Sequence, residues 1–118
     1  MPGQNAFPRD ERLVRRRDYE TLYREGRKSV GRAFVLYVVR RDGQGRKAGF
    51  TVSRRVGKAV VRNRVKRYMK EVYRTHRFAL PGDMWLVLVA RPAANALSMH
   101  ECRNAIRKLL KAGDVLCE

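Results

Sequence analysis

Within residues 56–74, "VGKAVVRNRVKRYMKEVYR", Lys58, Arg62, Arg64, Lys66, Arg67, Lys70 and Arg74 are basic, and Glu71 alone is acidic. Arg54 and Arg55 stand just before this stretch. Guanidinium forks and ammonium groups with no adjacent base are poorly suited to moving protons. They are suited to holding anionic oxygens, and Arg presents its donors in a planar fork that matches phosphate. Placed on a helix from about 58 to 76, Val61, Val65, Tyr68, Met69 and Val72 share an arc of about 100°. Most of the remaining circumference is cationic. Arg54, Arg55, Lys58 and Arg62 crowd the N-terminal end, where the helix dipole is already positive and each such charge costs roughly 0.3–1 kcal/mol. A local rule broken without internal compensation marks a functional site. The missing counter-charge is a phosphate array, whose released counterions drive binding. Arg can also stack on bases, which favours folded RNA.

Other chemistry is poorly served. Asp10, Asp18, Asp42 and Asp83 fall in separate elements, without the convergent carboxylates of a metal-dependent nuclease. His76 and His100 have no nearby orienting group and read as surface residues. Cys102 and Cys117 lack the spacing of a metal or redox pair. Cys102 reads as a small buried apolar group, Cys117 as part of a tail. No catalytic and no metal-binding residues are assigned to the chain itself.

The chain has 118 residues, 28 Lys+Arg against 11 Asp+Glu, a net charge of +17 and 44% hydrophobic content. That length suits one compact domain, and that charge calls for a polyanion. No run approaches the roughly 18 apolar residues of a membrane span, and no secretory signal is visible. A cytoplasmic nucleic-acid binder follows as the expectation.

The elements that must position the cations read as follows. Residues 1–11 are expected to be a flexible arm, 12–113 the folded domain, and 114–118 a tail. A short helix from about 17 to 25 ends at Gly26, with Tyr19 and Tyr23 on one face. "AFVLYVVR" alternates Phe34, Leu36 and Val38 against Val35, Tyr37 and Val39, apolar on both sides, as in a central strand. "RDGQGR" at 41–46 reads as a hairpin turn. "KAGFTVS" follows, with Gly49, Thr51 and Ser53 on a low face open to a ligand backbone. "MWLVLVA", 84–90, reads as a buried strand parallel to 48–53. The last helix starts at a Ser98–Glu101 capping box and ends at Gly113.

In order and spacing, "GFTVSRRVGKAVVRNRVKR" (49–67) resembles the signature of the bacterial ribonuclease P protein subunit. "RLVRRRDYETLYREGR", "FVLY" and "VLVARPAA" are similar to that family's first helix, second strand and later strand end. The resemblance spans about residues 12–112. It implies an α+β fold, a single-domain α/β sandwich of αβββαβα order with a four-stranded sheet and an unusual left-handed βαβ crossover. It also implies a function: assisting the Mg²⁺-dependent endonucleolytic removal of the 5′ leader from precursor tRNA. The catalytic RNA performs the chemistry and binds most of the Mg²⁺, and the protein enters the complex as a monomer. By position, the resemblance assigns Arg54, Arg55, Lys58, Arg62, Asn63, Arg64, Lys66 and Arg67 to the catalytic RNA. It assigns Tyr19, Tyr23, Val35, Tyr37, Ser53 and Arg91 to a cleft for the single-stranded leader. Aromatics there suit stacking on successive bases, although the same tyrosines could instead complete a core.

The chain departs from the family pattern at three places. Both first-helix aromatics are Tyr, Arg16 stands where a capping Asn or Asp is common, and Pro92 follows Arg91 directly. A ribosomal or other structural RNA-binding protein would explain the charge equally well, but not a tyrosine-lined face. Peripheral membrane binding would need bulky apolar residues exposed on the basic helix, whose narrow stripe is required by the sheet.

Overall fold

A strand that is apolar on both faces needs cover on both, and the computed structural model, which describes residues 7–113, is built around one. Strand β4, Met84–Ala90, lies inside a four-stranded sheet of order β1-β2-β4-β3. Its neighbours are β2, Phe34–Arg40, antiparallel, and β3, Lys47–Val52, parallel. β1, Arg27–Val30, pairs with the outer side of β2. Three helices complete the expected αβββαβα order: α1, Arg16–Glu25; α2, Ala59–His76; and α3, Met99–Ala112.

The parallel pairing of β3 with β4 is as expected, but the hairpin at 41–46 is not. β4 inserts between β2 and β3, so residues 41–46 span one strand rather than closing a two-stranded ribbon. The continuous apolar run of β4 competes better for the centre than β3, whose Gly49 and Thr51 leave one face thin.

One sheet face carries Leu36, Val38, Phe50, Leu86 and Leu88, covered by Val65, Met69 and Val72 of α2 and Cys102, Ile106, Leu109 and Leu110 of α3. Burial pushes the Cys102 thiol up to about 11, consistent with a packed, inert group. The Ser98–Glu101 capping box starts α3, with both reciprocal hydrogen bonds present. The opposite sheet face carries Trp85 and Val87, packed with Leu13 and with Leu22 of α1. α1 stops at Gly26, where the backbone turns extended at φ −72° and ψ 151° rather than left-handed, and an added Cβ would lie 2.5 Å from the Leu22 carbonyl oxygen.

The packed chain begins earlier than expected. Residues 7–11 fall in the expected arm, yet Phe7 packs edge-on against Phe50 and Tyr73, with centroids 5.5 and 5.2 Å away. Glu11 is buried, accepting from the Tyr73 hydroxyl at 2.6 Å and from both Nε and Nη2 of Arg77. This segment also screens β3, an edge strand: Leu13 N donates to Ala48 O at 2.9 Å and Lys47 Nζ to Asp10 O at 2.8 Å. Residues 1–6 of the expected arm, and the expected tail 114–118 with Cys117, lie outside the described residues. His76 is likewise buried rather than at the surface, its Nδ1 2.9 Å from Val72 O and its Nε2 3.1 Å from Arg107. It falls on the inward stripe of α2, one turn beyond Val72. His100 is exposed, as expected.

Burial alone would raise the Glu11 carboxyl, but hydrogen bonds from Arg77 and Tyr73 and the Arg77 charge outweigh it and hold the group below its ordinary value. A carboxyl lowered in the native state contributes stability above its unfolded value, near pH 4.3, and loses it as pH falls through the native value. Glu11→Gln should lower unfolding stability at pH 7 by about 3 kcal/mol. It should also flatten the acid limb of denaturation midpoint against pH. An unchanged acid limb would show that the pair is not what acid disrupts.

Candidate nucleic-acid interface

The basic residues are set by a turn and a helix that share one buried side. Val56, fully buried, pins the short 3₁₀ turn Arg54–Val56, leaving Arg54 and Arg55 exposed. Gly57 then redirects the chain at φ +156°, where an added Cβ would press on the Val61 side chain at 3.1 Å. Lys58 occupies the N-cap of α2, without a side-chain cap and with no acid in the first turn. The unfavourable dipole arrangement read from the sequence is therefore present in the fold.

Around α2 the cations divide. Asn63, Lys66, Arg67, Lys70 and Arg74 line one open groove of about 400 Å³, closed at one side by Phe7. Arg64 points to the other flank, where its Nη2 donates to Asn95 O at 2.5 Å. Arg62 is half-buried, and its Nε has no protein partner. Arg74 is neutralised by Glu71 through two hydrogen bonds. Lys66, Arg67 and Lys70 make no ion pair among the described residues; Arg67 rests over the Tyr68 ring at 5.6 Å. Partial desolvation, then the charges of Lys66 and Arg12, push the Lys70 ammonium below its ordinary value. An anion in the groove would relieve that repulsion. Phe7, Lys70 and Arg74 were missed as groove residues. Lys70 and Arg74 continue the i, i+3, i+4 spacing of Asn63, Lys66 and Arg67 and were legible in the sequence; Phe7 was not.

The expected aromatic cleft lies on the opposite sheet face. Tyr23 packs edge-on against Tyr37 with centroids 4.9 Å apart, and Tyr19 lies 6.5 Å from Tyr23. The Tyr19 hydroxyl donates to Leu13 O at 3.2 Å and sits on Gly49, where a Cβ would come within 2.5 Å of it. The low face at Gly49 thus receives this protein's own tyrosine rather than a ligand backbone. Tyr19 and Tyr37 join the second core cluster, so the core-completing reading holds for part of each ring. Tyr23 stays exposed.

Beside them runs an uncovered row. Val30 pairs with Val35, Val35 with Val89, and Val89 with Thr51, one residue from each strand. Val30 is 59% exposed and the other three are half-buried. Ser53 is exposed just beyond β3. Arg91, exposed just beyond β4, is held by its backbone N to Ala33 O at 2.8 Å and by Nη1 to Gly31 O at 2.9 Å. The row is an apolar floor flanked by tyrosines and ending near a fixed cation, a combination suited to a single strand whose bases stack or lie flat. Among the described residues no cluster of three His, Cys, Asp or Glu could hold a metal ion, and no helix is long and apolar enough to cross a membrane.

Comparison with known proteins gives a consistent result. The family model described as Ribonuclease P matches residues 7–113. The chain is 36% identical to the ribonuclease P protein component of Dictyoglomus thermophilum over 119 residues, covering 98% of each protein. It is 41% identical to that of Desulfovibrio desulfuricans over 105 residues, covering 87% of this chain and 81% of the relative. Among solved structures, the Staphylococcus aureus RNase P protein superposes with a TM-score of 0.84 at 25% identity, over 90% of this chain and 97% of that one. The Thermotoga maritima RNase P protein gives 0.76 at 27% identity, over 86% and 96%.

Gly49→Ala should displace the Tyr19 ring and break its hydrogen bond to Leu13, at a cost of about 1–3 kcal/mol. Thermal unfolding and the Tyr19 ring signals in NMR would register it. An unshifted ring with unchanged stability would contradict the close packing described.

Proposed function

The chain belongs to the ribonuclease P protein family, and from that premise we propose that it uses the two faces of its sheet for two different RNAs. The outer face of α2, with the turn before it, binds the catalytic RNA of ribonuclease P. The row Val30–Val35–Val89–Thr51 with Tyr23, Tyr37 and Arg91 binds the single-stranded 5′ leader of precursor tRNA. Holding both, the protein raises substrate affinity in the endonucleolytic maturation of tRNA 5′ ends, in the cytoplasm and as a monomer within the complex. The RNA performs the cleavage and holds the Mg²⁺; this chain supplies cations that lower the electrostatic cost of bringing two polyanions together.

The observation that carries the reading is the pairing of unlike surfaces on one thin layer. A cation face on which Lys66, Arg67 and Lys70 have no described ion pair lies over one side of the sheet, and an apolar, tyrosine-flanked floor on the other. A structural RNA-binding protein needs the first and has no use for the second.

Lys66→Ala, Arg67→Ala and Lys70→Ala together should weaken catalytic-RNA binding and lower the slope of log affinity against log salt by nearly one unit per lost phosphate contact. An unchanged slope would remove this face from the interface. Tyr37→Ala should weaken binding of precursor tRNA to the reconstituted complex by about tenfold, within the 1–3 kcal/mol of one base stack, and leave mature tRNA unaffected. Equal losses for both would point to a folding defect. Reconstitution with a bacterial catalytic RNA at low Mg²⁺ tests the whole reading: leader cleavage should depend on this chain.

A further inference from the structure

α1 crosses the sheet and leaves a distinct surface on each of its sides. Beyond its tyrosine flank lies the floor already described. Beyond the other flank, about 13 Å along the strands at the usual rise per residue, Val39, Trp85 and Lys47 form the corresponding cross-strand row. Over Trp85 and Lys47 is a hollow of about 580 Å³ whose lining includes Arg9, Arg12, Arg15, Arg17 and Arg41. Asp18 is the one acid among its lining residues. A cavity of that size accommodates a nucleotide.

Two observations point to a ligand beyond the charge itself. Trp85 forms part of the hollow's wall, is only 4% exposed, and its Nε1 has no protein acceptor. Leaving a buried indole N–H unpaired costs about 1–3 kcal/mol, which an acceptor on a bound group would recover. Arg41 lies over the same ring, its Cζ 5.2 Å from the centroid, and its Nε is also buried without a partner. The side chains of Arg9, Arg15 and Arg17 are exposed and have no described ion pair or hydrogen bond.

Arg12 links the hollow to the α2 groove. It is part of the hollow's lining, donates to Phe7 O at 3.0 Å and lies over the Phe7 ring, which walls the groove. Arg12 is also near enough to Lys70 to depress its ammonium. The cationic band therefore runs from α2 around the covered edge of β3 to Trp85. α1 separates it from the tyrosine floor.

We propose that the Trp85 hollow is a second contact for the catalytic RNA, taking one nucleotide of an unpaired strand. Arg9, Arg15 and Arg17 meet the flanking phosphates, and Trp85 Nε1, closed off in the free protein, donates to an oxygen or ring nitrogen of the inserted nucleotide once the wall residues around it shift. This rests on the assignment of the α2 face to that RNA.

The test compares two triple variants of the full chain, Arg9→Ala/Arg15→Ala/Arg17→Ala in the hollow and Lys66→Ala/Arg67→Ala/Lys70→Ala on α2. Each is titrated with catalytic RNA over a range of salt. Three lost contacts to an unpaired strand should lower the slope by about two in the hollow variant, with unchanged melting temperature and unchanged affinity of the assembled complex for precursor tRNA. Trp85 is the only tryptophan, so a 5-fluorotryptophan label should give one ¹⁹F signal that shifts on adding catalytic RNA to the unsubstituted protein. A reduced slope for the α2 variant alone, with an unmoved ¹⁹F signal, overturns the hollow and spares the α2 face. Slopes unchanged in both variants overturn both assignments. A hollow variant that loses precursor affinity instead assigns the site to the substrate and overturns the proposal.

Discussion

β4 has no polar face, and a strand of that kind cannot lie at a surface or an edge. Covering it on one side takes α2 and α3, with Val65, Met69, Val72, Ile106 and Leu110 supplying the apolar contact. Covering it on the other takes α1, which is only ten residues long. The imbalance matters. Two helices seal their side and turn the far surface of α2 outward, while one short helix seals only the middle of its side. The half-buried row at one end of that face and the hollow at the other follow from helix length, so the same packing constraint that stabilises the core also leaves the surfaces proposed to meet RNA.

The charge distribution follows the same geometry. α2 must bury a narrow stripe, and the remaining circumference is free to carry cations. Glu71 offsets Arg74 and the Asn95 carbonyl occupies Arg64, but Lys66, Arg67 and Lys70 are left side by side along one wall of a groove. The buried carboxylate of Glu11, by contrast, accepts from Arg77 and Tyr73 together. The contrast between a satisfied interior ion pair and an unsatisfied exterior groove separates what holds this fold together from what a partner must complete.

Much of this was legible in the residues. The 3.6-residue spacing of Val61, Val65, Met69 and Val72 placed α2 and its outward face. Ser98 and Glu101 marked the start of α3, and the unbroken run of 84–90 marked a buried strand. Pattern alone did not reveal β1, whose Arg27–Val30 is polar and short, nor the insertion of β4 between β2 and β3. Sheet order is a tertiary competition that no local turn signal encodes, which is why "RDGQGR" read as a hairpin. Phe7 and Glu11 escaped for a similar reason. Their partners, Tyr73 and Arg77, lie more than sixty residues away, and the prolines and glycine around them resemble an arm. The approach of Tyr19 to Gly49 likewise depends on where α1 lands, so the open face expected at Gly49 was already filled.

The central claim is that opposite faces of one sheet engage different RNAs. Site-directed photocrosslinking in the reconstituted complex tests it most directly, with one probe at position 66 in the α2 groove and another at position 35 in the apolar row. The account predicts that the first labels only the catalytic RNA and the second only the leader of precursor tRNA. Both probes labelling the same RNA would contradict it.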